Sequence, residues 1–141
     1  MTEPTASGST TEPAPLPPRP VRVDYFYRVR WGYVDEWLDL FRRNHWPLLR
    51  AQLEAGRFLD VRCHVPRFHG DGRADWNVLV TIVYRDWAAV EGHAPRDLVE
   101  RLYPDQERFR AEERRRFELL EAHWDVPLEP VDLDAGGRPR G

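Results

Sequence analysis

From Val21 the chain alternates: Val21, Val23, Tyr25, Tyr27, Val29 and Trp31 are set against Arg22, Asp24, Arg28 and Arg30. Successive strand side chains project to opposite faces, so this is a strand with one apolar face. From Val34 the apolar period becomes helical, with Val34, Trp37, Leu38, Phe41, Leu48 and Leu49 on one stripe. The spacing predicts a helix over 33–55 with Gly56 as its C-terminal glycine. Pro47 removes a backbone donor and crowds the preceding turn, so a kink or restart is expected near His45–Pro47.

Alternation returns over 57–67, where Leu59, Val61, Cys63 and Val65 oppose Phe58, Asp60, Arg62 and His64. Residues 68–75 are rich in glycine and aspartate and read as a hairpin-type loop. Residues 76–84 (WNVLVTIVY) are β-branched and apolar on both faces, as a central strand requires. Asp86 caps a short helix over 87–91, Pro95 starts another, and Pro104 interrupts it. A longer helix follows from Asp105, with Phe109, Phe117 and Leu120 on its apolar side. Its charged residues, Glu112–Glu113 and Arg114–Arg116, read as a solvated face. Residues 124–133 make a last strand whose prolines place it at a sheet edge.

The element order is β-α-β-β-α-β with an enlarged second helical region. The expected class is α+β: a ferredoxin-like antiparallel sheet with helices on one face. Length sets one domain, residues 21–133, between a Pro/Thr/Ser-rich tail expected to be disordered (1–20) and a flexible tail (134–141).

Net charge of −3 argues against a nucleic-acid or anionic-membrane partner. All 21 basic side chains are arginine. Cys63 is the single cysteine, which removes a disulfide framework. No signal-like or membrane-length apolar run occurs, so the expected location is cytoplasmic. The five histidines show no HxH, HxxxH or HExxH spacing, and no phosphate-binding glycine loop or GxSxG turn is present; no metal or cofactor is expected.

The strand-to-helix passage YRVRWGYVDEWLDLF, the segment RNHWPLL and the strand ending in YRDWAAV together resemble the dimeric α/β-barrel superfamily. In texture they are nearest to its NIPSNAP-type and antibiotic-biosynthesis-monooxygenase-type branches. The resemblance implies a homodimer whose sheets meet face to face around a cavity. It also implies cofactor-independent chemistry on a small molecule, although some members of the superfamily bind haem. No catalytic signature of the family is matched residue by residue.

With the apolar strand faces against the helices, the opposite faces line such a barrel. They carry Asp24, Phe26, Arg28 and Arg30, then Asp60, Arg62 and His64, then Asn77, Leu79 and Thr81. Arg28, Arg30 or Arg62 suits a carboxylate or enolate, and His64 is a candidate general base. Asn77, Trp76, Thr81 and Phe26 complete a candidate substrate surface. His45, on the helix stripe beside Pro47, is a second catalytic candidate, while His69 and His93 read as exposed loop residues. The expected function is small-molecule binding by a cofactor-independent monooxygenase, cyclase or isomerase. Its substrate would be aromatic or polyketide-like and its first step proton abstraction. The alternative is a non-catalytic dimeric ligand-binding or accessory protein, in which those polar groups neutralise one another.

Overall fold

The computed structural model describes residues 19–68 and 75–135, together with Gly8. The expectations for most of the N-terminal tail, for His69 and the Gly70–Gly72 loop, and for 136–141 lie outside the described residues. Four strands, β1 (Val21–Val29), β2 (Phe58–His64), β3 (Val78–Tyr84) and β4 (Leu120–Leu128), form one sheet in the order β2-β3-β1-β4. Every neighbouring pair is antiparallel. The helices are α1 (Val34–Asn44), α2 (Trp46–Glu54), α3 (Trp87–Glu91), α4 (Arg96–Leu102) and α5 (Gln106–Glu118).

The core lies between the sheet and the helices. Val23, Tyr27 and Val29 of β1 and Val78, Val80, Ile82 and Tyr84 of β3 are buried with Trp37, Leu40, Phe41 and Leu49. Alternation along β1 thus decides which sheet face is covered. The expected break falls at His45: its N–H donates to the Phe41 carbonyl at 2.9 Å, closing α1, and Pro47 sits in the first turn of α2. Gly56, at φ 80°, ends α2 in a left-handed turn, with the Arg57 N–H donating to the Gln52 carbonyl at 3.1 Å. Asp86 caps α3 by accepting from the Ala89 N–H at 2.8 Å. Glu112 of α5 joins that helix to α1, accepting from Asn44 and Arg43 at 2.7 Å each, and it also accepts from Arg108 at 2.6 Å. Desolvation alone would raise its pKa, but these donors outweigh it and hold the carboxyl at about 2.

Three expectations are corrected. The β2–β3 register shifts between Phe58 and Asp60, so Phe58 enters the core and Leu59 is 51% exposed, the reverse of plain alternation. β4 begins at Leu120 and ends at Leu128, and only Pro127 falls within it. A second register shift, between Arg28 and Val29 in the β1–β4 pair, leaves Glu121 as the extra residue. On α5, Phe117 is exposed, and the expected solvated arginine Arg116 is buried instead. Its guanidinium lies over the rings of Trp37, Phe41 and Phe117 and makes two bonds to Glu113, at 3.0 and 2.8 Å. Three aromatic rings and one carboxylate satisfy both parts of an arginine side chain.

Candidate functional site

The sheet face away from the helices carries Asp24, Phe26 and Arg28 opposite Thr81 and Leu79, with Trp124 and Val126 across the β1–β4 ladder. Its polar groups are largely engaged with one another. Arg22 grips Asp24 at 2.9 and 3.2 Å, and the Thr81 hydroxyl donates to the same carboxylate at 3.1 Å. Arg62 pairs with Asp60 at 2.8 Å and Arg28 with Glu121 at 3.1 Å. Asn77 brackets the Val29 peptide, accepting from its N–H and donating to its carbonyl at 2.7 Å each. Its amide therefore splices the end of β1 to the approach of β3. Phe26 stacks on Trp124 at 5.4 Å and meets Trp76 edge-on at 5.8 Å. Arg30 is exposed, with its backbone N–H on the Leu119 carbonyl.

The concave space lies elsewhere, between the helices and the β2 edge of the sheet. One lobe of about 420 Å³ is lined by Leu38, Phe41, Arg42 and Trp46 from the helices and by Val61, Arg62, Cys63, His64, Val65 and Val80 from the sheet side. A second lobe of about 340 Å³ is lined by Arg28, Trp31, Asp35, Val65, Trp76 and Asn77, among others. Leu38 and Val65 border both, so the two adjoin along the slot between the helices and the sheet edge. Of the candidate residues, Arg62 and His64 border the larger lobe from the edge strand β2, but their register with Thr81 and Leu79 turns their side chains to the other sheet face; Arg28, Asn77 and Trp76 border the smaller lobe. Thr81 and Phe26 reach neither lobe. Burial pushes the Cys63 thiol up against the opposing pull of Arg42, which suits it as a wall and not as a nucleophile. Arg42, Trp46, Trp31 and Asp35 were not singled out from the chain. The readable signal was that Leu38 and Arg42 lie one turn apart on the edge of the α1 stripe.

No protein-family model matches the chain, and no curated protein sequence does. Solved structures do. A NIPSNAP domain protein from Burkholderia xenovorans aligns over 82% of this chain and 97% of its own at 20% identity, with a TM-score of 0.50. A dabb family protein with a ferredoxin-like fold from Mesorhizobium loti aligns over 80% and 98% at 10% identity, with a TM-score of 0.51. The chain has the ferredoxin-like fold. A provisional antibiotic biosynthesis monooxygenase from Caulobacter crescentus matches equally, at 16% identity over 82% and 92%, with a TM-score of 0.51. These matches agree with the superfamily expected from the chain's texture. At such identities they establish the ferredoxin-like frame and leave the chemistry to the residues. Among the described residues no helix is long and apolar enough to cross a membrane, and no cluster of three metal-ligating side chains occurs.

Within this ferredoxin-like frame His45 stands apart from the slot, since it lines neither lobe. It meets Phe41 edge-on at 5.1 Å, and burial, assisted by the charge of Arg116, pushes its pKa down to about 3. The unfolded chain, with the ordinary value near 6.5, takes up that proton first. The stabilisation is complete above pH 6.5 and is lost as pH falls towards 3. His45→Phe is expected to flatten the fall in unfolding free energy between pH 6.5 and 4, as urea titrations across that range will show. An unchanged slope assigns the acid sensitivity to other groups.

Proposed function

We propose that the protein is a homodimer that binds a small aromatic or polyketide-like acid in the slot beneath α1 and α2. The observation that carries this is the 420 Å³ lobe: apolar walls from Phe41, Trp46, Val61 and Val80, the cationic Arg42, and the edge strand β2 at Arg62 and His64. An apolar cleft with a few polar groups of one sign suits an aromatic body bearing a carboxylate or enolizable oxygen. Arg42 holds developing negative charge at the lobe. The base that takes a proton from an acidic carbon, in cofactor-independent proton abstraction, is assigned to His64 at the end of the edge strand β2, whose side chain stands on the other sheet face in register with Leu79. Oxygenation, cyclisation or isomerisation can follow from the carbanion. The dimer is supported by the uncovered sheet face, where Phe26, Leu79, Val83, Trp124, Val126 and Leu128 make an apolar field around the already satisfied Asp24.

A second reading, ligand binding without catalysis, is favoured by the engagement of Asn77 with Val29 and of Arg62 with Asp60. The test begins with 2-naphthoate followed by tryptophan fluorescence, since Trp46 lines the lobe. Binding is expected, with Arg42→Ala weakening it about tenfold, the order of one lost charge-assisted bond. Absence of binding at millimolar ligand would remove the pocket reading. Native mass spectrometry of protein from its own host then gives subunit count and any retained ligand. With that ligand, His64→Ala is expected to stop turnover while binding and the dimer persist; no turnover even in the unaltered protein selects the second reading.

A further inference from the structure

Leu38, Arg42 and Trp46 follow one another at four-residue steps, and all three line the larger lobe. Arg42 is the charged member of that row. Across the lobe stand Val61 and Cys63, in register with Ile82 and Val80 on the helix-facing side of the sheet. Arg62 and His64 turn their side chains to the other face, so the guanidinium that meets an acid in the lobe is that of Arg42. Its Nη1 donates at 3.2 Å to Asp39, one turn back on α1, and Asp39 does not line the lobe. We propose that Asp39 is a positioning residue: it holds Arg42 towards the outer flank of α1 and thereby sets how tightly the larger lobe takes an acid.

The character of the contact supports that role. Arg42 and Asp39 keep 66% and 67% exposure, so water screens the pair and it is broken at small cost. A guanidinium is a planar fork that grips a carboxylate through two nitrogens, and the bond to Asp39 uses one. An acid entering the lobe must draw Arg42 away from Asp39, or bind with a second carboxylate beside its own. Either way Asp39 works against the acid. A neutral ligand meets no such competition. The charge of Arg42 already reaches the far wall, where it opposes the effect of burial on the Cys63 thiol. The proposal rests on the acid-binding reading of this lobe, but the placement of Arg42 can be followed through Cys63 with no ligand present.

The experiment titrates 2-naphthoate and its neutral counterpart 2-naphthamide into the full chain by calorimetry. It also follows the rate at which the single thiol, Cys63, is alkylated by iodoacetamide across pH. Asp39→Asn is expected to tighten 2-naphthoate about threefold, the scale of an exposed ion pair, and to leave 2-naphthamide as before. The gain is expected to vanish when Arg42→Ala is added, which isolates the pair. Without ligand, Asp39→Asn is expected to make Cys63 react at lower pH, because the uncompensated guanidinium favours the thiolate, and Arg42→Ala at higher pH. Unchanged or weaker naphthoate binding in Asp39→Asn, an equal gain for the amide, or a gain that survives Arg42→Ala each overturns the proposal. A thiol profile that Asp39→Asn leaves in place overturns it too, whatever the ligand does. Naphthoate binding that ignores Asp39→Asn removes this proposal alone; no naphthoate binding to either protein at millimolar ligand removes the acid lobe and the proposal together.

Discussion

Trp37→Ala is expected to lower the unfolding free energy by about 4 kcal/mol, in the upper part of the range for deleting a buried aromatic. Trp37 is fully buried, with the Tyr27 ring centred 4.6 Å away and that of Phe41 at 5.2 Å. It sits where α1 crosses β1, and the Arg116 guanidinium covers it at 5.6 Å. Removing the indole leaves a cavity bounded by a rigid sheet and a charged side chain, neither of which collapses readily. Trp37→Phe is expected to cost less than volume alone implies, because the indole N–H is buried without an acceptor among the described residues. Urea unfolding of the two variants measures both costs. A loss below about 1 kcal/mol for the alanine variant would mean that the α1–β1 contact is not central to the core.

Arg116 gives the second large effect, and its sign depends on the replacement. Arg116→Ala is expected to cost about 3 kcal/mol, the low end for breaking a buried pair, because Glu113 keeps 21% exposure and can regain water. Arg116→Met retains the apolar stem against Trp37 and Phe41 and is expected to recover most of that loss. Two titrations report the same change without reference to stability. Burial raises the Tyr27 hydroxyl to about 12 while Arg116 pulls it down, so the methionine variant is expected to titrate Tyr27 still higher. His45, which Arg116 helps to keep neutral, is expected to move up towards its ordinary value. Unmoved Tyr27 and His45 titrations would show that the charge of Arg116 does not reach them.

Much of the fold was readable because its elements are locally consistent. The alternation of Val21–Val29 set the covered face, Pro47 marked the α1–α2 break, Asp86 marked a cap, and the two-faced apolarity of Val78–Tyr84 marked a central strand. What escaped depends on partners distant in sequence. The shift at Leu59 is a property of how β2 meets β3, and simple alternation runs straight through it. Arg116 stands in a charge run that looks solvated until Trp37 and Phe41, some 75 to 79 positions earlier, are seen beneath it. Asn77 has the residue type of a ligand contact, but the Val29 peptide occupies both ends of its amide. The slot was missed for a related reason. Strand parity shows which face is apolar; it does not show that the helices leave the β2 side of that face partly open.

Both outer strands of the sheet are interrupted: β2 by the irregularity at Leu59, and β4 by the extra residue Glu121 and by Pro127. A free strand edge is a template on which further chains can polymerise, and such breaks make it a poor one. Proline supplies no donor to an incoming strand, and an irregular edge presents its donors and acceptors out of step. Edges broken in this way disfavour end-to-end growth into fibrils.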